Sequence, residues 1–576
     1  MLGAMQPAPA SPGFVDLFTP KLLTVLREGY GLAQLRADTL AGLTVAIVAL
    51  PLSMAIAIAS GATPAQGLYT AIVGGFLVSA LGGSRFQIGG PAGAFIVLVA
   101  ATVAAHGMDG LVLATILSGL ILAAMGLLRV GTYVKFVPYP VTVGFTAGIA
   151  VIIFASQIKE ILGLALAVPE PGALLAKLPV LWQALPSINA AAACVAGATV
   201  ATVLALRRWR PHWPGLLIAV AGSAVATGAF GLPVETIGTR FGGIPAGFPM
   251  PALPELSWAK IAAVLPSAVS FAMLGAIESL LSAVVADGMT GRRHRSNCEL
   301  VAQGIANVGS GLFGGMCVTG TIARTATNVR SGAHGPVAGM LHALFLLLFV
   351  LLAASAADHI PLAALAGVLA VVAWNMVERQ AVATLLRVST GDAAVLATTF
   401  FLTIFRDLTE AIVVGFAMGA MLFIHRMSTR VAVSGERGLG LEDRADAQGD
   451  NRVPYRDDTA GDRDIAVYRI SGAFFFGAAA SIGSVLDNIG EAPKALVVDF
   501  AAVPLLDSTA AHIIEGLAHK CARDGVRLCL TGTNHDMRQT LFALGVKPPL
   551  ARYEKSVEKA VADFRRPPEA SWRAPI

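Results

Sequence analysis

The sequence predicts a polytopic α-helical membrane protein that carries a small soluble α/β domain at its carboxyl end. Two observations lead to this fold class: 55% of the 576 residues are hydrophobic and only 13% are charged, and the mean hydropathy is +0.71. Soluble domains carry about a quarter charged residues. This composition excludes a cytosolic enzyme, a nucleic-acid-binding protein and a disordered regulator.

The composition changes along the chain, and the changes mark the domains. Apolar segments crowd residues 40–427, whereas residues 435–464 are polar and charged, which is typical of a linker. The chain after this stretch has the composition of a soluble domain. The predicted divisions are an amino-terminal cytosolic segment 1–37, a transmembrane domain 38–430, a linker 431–463, a soluble domain 464–565 and a tail 566–576.

Fourteen apolar segments are predicted in the transmembrane domain. They cover residues 40–58, 66–82, 91–105, 109–128, 138–158, 188–206, 214–230, 262–286, 299–317, 321–331, 334–357, 361–377, 391–405 and 408–427. Most suit a hydrocarbon core, which takes about 20 residues. The third, opening at Gly89-Gly90-Pro91, and the tenth, opening at Gly320-Thr321, are too short. Short helices with such starts are typical of discontinuous transmembrane helices, and their matching positions predict a seven-plus-seven inverted repeat.

Basic residues are unevenly distributed over the loops when the segments alternate from a cytosolic amino terminus. The inner loops hold Arg85, Arg129, Lys135, Arg207, Arg208, Arg210, Arg292, Arg293, Arg295, Arg330, Arg379 and Arg387. The outer loops hold only Lys159, Lys177, Arg240, Lys260 and Arg406. This bias follows the positive-inside rule. It predicts a multi-pass protein of the inner (plasma) membrane with both termini in the cytoplasm.

Two helix starts and one cation combine into a predicted anion site. The amino termini of the third and tenth helices present free backbone N–H groups and a partial positive charge. Gly89, Gly90 and Gly320 allow a ligand to approach the backbone closely. Arg324, one turn into the tenth segment, adds a full positive charge. Such a site suits small oxyanions and carboxylates better than cations or sugars.

An ionisable residue inside an apolar segment is a functional candidate. Glu278 lies in the eighth segment, and Ser282 follows four residues later, on the same helix face. Three roles for Glu278 stay open. In the first, Glu278 carries a coupling proton, since burial favours a neutral carboxyl. In the second, Glu278 and Ser282 together hold Na⁺, which is the one metal ion considered. In the third, Glu278 makes a structural bond with Arg324 or with the backbone.

The soluble domain is predicted to alternate strands with helices. Strands are predicted at 464–471, 495–500 and 526–532, and helices at 477–489, 508–523 and 534–544. The segment VVDFAAVPLLDSTAAHIIEGL (497–517) resembles the STAS domain of anti-sigma-factor antagonists and anion transporters. That resemblance implies a regulatory role for Asp507 and Ser508, the latter at the position of a phosphorylated serine. Alternatively, Asp507 or Ser508 simply caps the following helix.

Three further stretches resemble the SulP family of anion transporters. They are LPLSMAIAIASGATPAQGLYTA (50–71), SRFQIGGPAGAF (84–95) and the run from Ile277 to Met340. The resemblance implies a core domain of segments 1–4 and 8–11 that moves against a gate domain formed by the other segments. It also implies a homodimer and a cytosolic partner for the STAS domain.

The same resemblance implies that the substrate lies between the starts of the third and tenth segments. The candidate substrate-binding residues are Gly90, Pro91, Ala92, Phe95, Gly320, Thr321, Ile322, Ala323 and Arg324. Many relatives carry an aromatic residue where this chain has Ala92. Either Phe95 replaces that ring, or the pocket is wider and suits a dicarboxylate.

Members of the family differ in substrate and in coupling. Sulfate, moved by proton symport through alternating access, is the first expectation for a bacterial chain of this type. Bicarbonate coupled to Na⁺, a C4-dicarboxylate, and an anion sensor that signals through the STAS domain are the alternatives. No cofactor is expected.

Other classes of protein fit the sequence less well. Nucleobase and borate carriers of similar architecture generally lack a STAS domain. No nucleophile–base pair, metal cluster or phosphate-binding loop indicates an enzyme, and the five cysteines include no CxxC motif. His106, His342 and His359 are scattered and are expected in loops or at the membrane interface.

Overall fold

The computed structural model describes residues 13–134, 138–168, 170–171, 173–210, 213–245, 247–406, 408–428, 432–436, 465–475 and 493–565. The chain divides into two compact units, Met1–Ala417 and Met418–Ile576. Most of the predicted linker, the predicted helix at 477–489 and the tail 566–576 lie outside the described residues.

The chain as far as residue 428 is helical apart from two short strands. Its helices are α1 (Phe14–Phe18), α2 (Lys21–Arg27), α3 (Leu32–Ala59), α4 (Pro64–Tyr69), α5 (Gly75–Leu81), α6 (Ile96–Leu127), α7 (Gly131–Val134), α8 (Tyr139–Leu162), α9 (Leu174–Ala184), α10 (Ala190–Trp209), α11 (Gly215–Phe230), α12 (Ile237–Phe241), α13 (Trp258–Thr290), α14 (Ser296–Leu312), α15 (Ile322–Arg330), α16 (Val337–Ala357), α17 (Leu362–Met376), α18 (Arg379–Val388), α19 (Thr390–Phe405) and α20 (Leu408–Ser428). A π-helical turn, Thr70–Gly74, joins α4 to α5. The strands are β1 (Gly89–Gly90) and β2 (Thr319–Gly320).

The predicted membrane-protein fold is confirmed. Each predicted segment coincides with helical structure, in the order α3, α4–α5, the two halves of α6, α8, α10, α11, α13, α14, α15, α16, α17, α19 and α20. Within the described ranges, nine helical spans are long and apolar enough to cross a membrane. Segments 3 and 4 are two helices, the halves of α6, that meet at a break where Gly107 has a φ of +69°, a conformation that glycine adopts readily.

The helices pack in two sets. The first contains α3, α6, α13, α14 and α16, and the second contains α8, α10, α11, α17 and α19; α3 also contacts α11 and α17. These sets match the predicted core and gate. Within the core, α6 meets α14 where a methyl group on Gly119 would lie 2.6 Å from the carbonyl oxygen of Gly304, and one on Gly304 2.5 Å from that of Gly119. Small residues allow membrane helices this close approach.

The second unit contains a five-stranded sheet. Its strands are β3 (Ala432–Glu436), β4 (Ile465–Ser471), β5 (Ala495–Ala502), β6 (Arg527–Thr531) and β7 (Arg552–Glu554), in spatial order β3-β4-β5-β6-β7. Strand β3 runs antiparallel to β4, and β4 to β7 run parallel. The helices are α21 (Ser508–Arg523), α22 (His535–Ala543) and α23 (Val557–Arg565). The three predicted strands are found as β4, β5 and β6, and the two described predicted helices as α21 and α22.

Two strands and one helix of this unit were not predicted. Strand β3 lies in residues assigned to the linker; it forms because its backbone pairs with the edge of β4, from Ala432 opposite Ser471 to Glu436 opposite Val467. Strand β7 has only three residues, too few for a periodic signal. Helix α23 packs its buried Phe564 beside β5 and β6.

Candidate functional site

The starts of segments 3 and 10 meet in a short antiparallel strand pair. Gly89 lies opposite Gly320, and Gly90 lies opposite Thr319. The pairing continues into α15, because the backbone N–H of Thr321 donates to the carbonyl oxygen of Ile88 over 3.0 Å. Two segments from the two halves of the repeat are therefore joined by backbone hydrogen bonds directly before their helices begin.

Side chains of neighbouring segments hold the chain before β2 in its extended form. Asn307 of α14 donates to the carbonyl oxygen of Val318 (2.8 Å) and accepts from its N–H (3.0 Å). Ser310 donates to the carbonyl oxygen of Met316 (2.6 Å). The backbone N–H of Met316 in turn donates to the hydroxyl oxygen of Thr70 (2.8 Å). Buried backbone groups need such partners, and here polar side chains of segments 2 and 9 supply them.

The chain before β1 is held in the same way by helix α15. Asn328 donates to the carbonyl oxygen of Phe86 (2.9 Å), and the N–H of Ile88 donates to the hydroxyl of Thr325 (3.1 Å). Thr325 also accepts a hydrogen bond from Ser282 of α13 (3.1 Å). Segments 3, 8 and 10 are thereby linked through one threonine hydroxyl.

Arg324 is buried at the strand pair, with 1% of its surface exposed. Its Nη2 donates to the carbonyl oxygen of Pro91 over 3.0 Å, whereas Nε and Nη1 have no hydrogen-bond partner among the described residues. A methyl group on Gly90 would lie 2.0 Å from Nη1. The absence of a side chain on Gly90 thus leaves room for the guanidinium of Arg324, which a larger residue would displace.

The first turn of α15 is open on the side away from the strand pair. Ile322 and Ala323 are exposed, and Thr321, the residue before the helix, makes no side-chain capping bond. In segment 3, a methyl group on the half-buried Gly93 would lie 3.1 Å from Ile153 of α8 and 3.8 Å from Met376 of α17. The start of segment 3 thus borders the helices α8 and α17 of the gate.

Glu278 is half-buried on α13 and makes no hydrogen bond or ion pair with any residue that the structure describes. The structural ion pair with Arg324, one of the three roles considered, is not formed. Ser282, one turn further along, is buried and donates its hydroxyl hydrogen to Thr325. The carboxyl group of Glu278 therefore remains available for a proton or a cation.

Ala92 and Phe95 are both buried, with 3% and 1% of their surfaces exposed. The ring of Phe95 packs edge-on against Phe271 of α13, with the ring centres 6.0 Å apart. A methyl group on Gly275 would lie 3.6 Å from the same ring. Phe95 therefore contacts segment 8, and both side chains are covered by protein.

Gln87 was not predicted as a residue of this region, and the predicted position of His342 is wrong. Gln87 is buried behind Gly320, and neither of its amide atoms has a partner among the described residues. His342 was expected in a loop or at the interface, which is wrong, because it is fully buried in α16 beside Gly75 of α5. The run of apolar residues around His342 was the feature of the sequence that could have predicted its burial. His106 and His359 are exposed.

The two candidate regulatory residues open helix α21. Asp507 is the N-cap, and its carboxylate accepts a hydrogen bond of 2.8 Å from the N–H of Ala510. Ser508, the first helical residue, is exposed. Capping is therefore performed by Asp507, and the hydroxyl of Ser508 faces solvent.

Comparison with known protein families matches both parts of the chain. The model of the "Sulfate permease family" matches residues 35–399, and the model of the "STAS domain" matches residues 458–560. Among curated proteins, a "Putative sulfate transporter YvdB" of Bacillus subtilis (strain 168) is 38% identical over 522 residues, covering 90% of this chain and 95% of that protein. A "Bicarbonate transporter BicA" of Synechocystis sp. is 33% identical over 530 residues, covering 89% and 91%.

Solved structures show the same architecture. The transmembrane domain of a cyanobacterial bicarbonate transporter BicA is 33% identical, covers 66% of this chain and 98% of that chain, and superposes with a TM-score of 0.60. The inward-facing structure of the murine Slc26a9 anion transporter covers 97% and 96% with a TM-score of 0.82. At 18% identity this second match supports the fold alone.

Proposed function

We propose that this chain, which belongs to the sulfate permease family of anion transporters, carries a small inorganic oxyanion across the membrane by secondary active transport, with sulfate as the first substrate. The core set of helices would move against the gate set, exposing the strand pair to each side in turn. The protein would lie in the inner membrane, with both termini in the cytoplasm, as a homodimer. The positive-inside distribution of the loops supports this orientation.

The observation that carries the proposal is the state of Arg324. A buried guanidinium keeps its charge, and here two of its nitrogen atoms lack a partner among the residues that the structure describes. Burying unpaired donors costs free energy unless a ligand satisfies them. The uncapped first turn of α15 adds backbone N–H groups and a partial positive charge beside it. An oxyanion between Gly90, Pro91 and Ala323 would accept from both sources.

Glu278 would carry the coupling proton. Its carboxyl group is half-buried on the helix that contacts α15 and has no partner among the described residues. A neutral carboxyl would accompany the anion inward, and an ionised one would return after the proton is released. The alternative is Na⁺ bound by Glu278 and Ser282. The hydroxyl group of Ser282 donates its hydrogen to Thr325, but the lone pairs of its oxygen atom remain for a cation.

Bicarbonate is the second candidate substrate. The reason is specific: a protein named as a bicarbonate transporter is 33% identical over 89% of this chain. Bicarbonate is also an oxyanion, so the same donors would hold it. Transport measurements with each anion would distinguish the two candidate substrates, since the relatives named above include proteins described as transporters of each.

The test is uptake of labelled sulfate and bicarbonate by proteoliposomes, with an inward proton gradient, an inward Na⁺ gradient, or neither. Accumulation of sulfate that needs the proton gradient is expected. Glu278→Gln should abolish accumulation but retain downhill exchange, whereas Glu255→Gln, which alters an exposed carboxyl before the same helix, should behave as the wild type.

Other results would redirect the proposal. Accumulation that needs Na⁺ and ignores the proton gradient would assign Glu278 the role of a sodium ligand. Saturable anion binding without flux would overturn transport in favour of a sensor that signals through the STAS domain. Uptake of bicarbonate but not sulfate would make bicarbonate, and not sulfate, the first candidate substrate.

A further inference from the structure

Helix α2 precedes the first membrane-spanning helix and has two unlike faces. Val25 is fully buried, and a methyl group on Gly335 would lie 3.1 Å from its side chain. On the opposite face, Leu23 and Leu26 have 44% and 50% of their surfaces exposed, and Arg27 is exposed as well. Residues three and four positions apart share one face of a helix. The two leucines and the arginine therefore form a common surface, here called the α2 surface.

Helix α2 is attached to the ends of three membrane helices. The backbone N–H of Lys21 donates to the carbonyl oxygen of Gly82, directly after α5, over 2.9 Å. Arg295, directly before α14, donates from Nη1 to the hydroxyl oxygen of Thr24, also over 2.9 Å. The glycine against which α2 packs lies two residues before α16. These attachments place α2 where segments 2, 9 and 11 leave the hydrocarbon core, and they prevent the helix from turning its leucines inward.

Positive charge without a bonded partner surrounds the α2 surface. The side chain of Arg27 makes no hydrogen bond or ion pair within the described part of the chain. The side chains of Arg292 and Arg293 are likewise exposed and make none there; they belong to the loop that bonds to α2 through Arg295. Arg292 also interacts electrostatically with Glu28, the residue that follows α2. Because charges act over about 8 Å in physiological salt, these arginines attract an anionic partner together.

Two carboxylates close to these arginines in sequence are already engaged. Glu28 accepts a hydrogen bond of 2.7 Å from Arg85, and Asp287 accepts one of 3.1 Å from the backbone N–H of His294. Exposed leucines beside arginines are typical of a helix that lies in a membrane interface, with its apolar side chains at the acyl chains and its cations at the headgroups. The partner must therefore be apolar where it meets the leucines and anionic where it meets the arginines.

We propose that the α2 surface binds the anionic phospholipids of the adjacent membrane leaflet. Leu23 and Leu26 would lie among the acyl chains, and Arg27, with the two exposed arginines of the loop before α14, would contact the phosphate groups. A bilayer provides both chemistries at the depth where α2 is held. The orientation proposed above makes this leaflet the cytoplasmic one, and the inference holds whichever anion the protein carries.

The test places a polarity-sensitive fluorophore on Leu26→Cys of the full-length protein, in nanodiscs that contain equal parts of phosphatidylcholine and phosphatidylglycerol. Cys194→Ser removes the exposed one of the five cysteines. Bromine atoms on the acyl chains of either lipid quench a fluorophore that touches that lipid. Quenching by brominated phosphatidylglycerol should exceed quenching by brominated phosphatidylcholine about fivefold, the preference expected from one basic residue close to anionic lipid.

Two other labelled positions and one charge variant are the controls. Leu352→Cys, at a position 81% exposed on the apolar helix α16, should be quenched equally by the two brominated lipids. Ser508→Cys, exposed in the soluble unit, should be quenched by aqueous iodide and by neither lipid. Arg27→Gln combined with Arg292→Gln and Arg293→Gln should reduce the preference at the α2 label to less than twofold, while quenching by lipid persists. Melting temperatures identify any variant that fails to fold.

Three results would overturn the inference. Quenching of the α2 label by iodide alone would mean that the α2 surface faces water. Quenching by neither iodide nor lipid would mean that protein covers it, either another part of this chain or a second copy. Equal quenching by the two lipids would mean an apolar contact with no preference for anionic headgroups. None of these results affects the proposed transport, which the uptake of labelled anions tests separately.

Discussion

Arg324 of segment 10 donates a hydrogen bond to the carbonyl oxygen of Pro91 in segment 3 over a distance of 3.0 Å. The two residues are 233 positions apart, one in each half of the repeat. The bond uses one of the guanidinium nitrogens, and Nε and Nη1 have no partner within the described part of the chain. Arg324 thus fastens the two discontinuous helices to each other, and its other donors are those that the proposed anion site would use.

Arg324→Lys should weaken sulfate binding about tenfold, and Arg324→Gln should weaken it further. Lysine retains the charge but cannot reproduce the fork of donors, whereas glutamine loses the charge as well. Equilibrium binding of labelled sulfate measures both effects, with Arg330→Lys at the end of the same helix as the control. Equal affinity for wild type and Arg324→Gln would contradict an anion site at this residue.

Gly90→Ala should impair transport without unfolding the protein. The added methyl group would collide with the end of the Arg324 side chain, which is flexible enough to move away but then leaves its position near Pro91. Gly222→Ala in α11 is the control, since nothing lies within 4 Å of its methyl group. Sulfate uptake and melting temperature, measured together, check the expectation; unchanged uptake would refute it.

Gly304→Ala should lower the melting temperature, because its methyl group would lie 2.5 Å from a backbone oxygen of α6 that cannot rotate away. Overpacking of this kind costs about 1–3 kcal/mol. Gly197→Ala in α10 meets open space and should leave stability unchanged or slightly raised. Thermal unfolding in detergent measures both, and a stable Gly304→Ala protein would mean that α6 and α14 pack less closely than described.

Glu28→Gln should show a pH-dependent loss of stability. Arg85 donates a hydrogen bond of 2.7 Å to Glu28 and holds the pKa of that carboxyl below its ordinary value of 4.5. A carboxyl with a lowered pKa stabilises the fold above its unfolded-state pKa, and the stabilisation is lost as pH falls through the lowered value.

The wild type should therefore melt slightly higher than Glu28→Gln at pH 7, by about 1 °C because the pair is partly exposed. The difference should close below about pH 4. Melting temperatures of both proteins across pH 3.5–7.5 test this, and a difference that grows on acidification would contradict the sign.

Asp507→Ala should destabilise helix α21 by about 1 kcal/mol, because it removes the N-cap bond to Ala510. Ser508→Ala should have no such effect, since its side chain is exposed and does not cap the helix. Hydrogen exchange of the α21 amides in the full-length chain should quicken about fivefold for the first variant only. Equal effects of the two would assign capping to both residues.

The segments, the two discontinuous helices and the order of strands β4 to β6 were predictable from the sequence alone. These features depend on signals that act locally: runs of apolar residues long enough to span a bilayer, and glycine or proline residues that interrupt them. Asp507 at a helix start is another local signal, and its capping bond is formed. Arg324 was identifiable because a charge within an apolar segment is conspicuous.

The contacts of these residues, in contrast, depend on how distant parts of the chain pack together. The pairing of Gly89 with Gly320, the position of Gln87 over Gly320 and the burial of His342 join parts of the chain that are far apart in sequence. Strand β3 appears for the same reason, since its partner β4 lies beyond the linker. Hydropathy indicates whether a residue enters the membrane, whereas packing between the two halves of the repeat determines which hydrogen-bond donors find a partner.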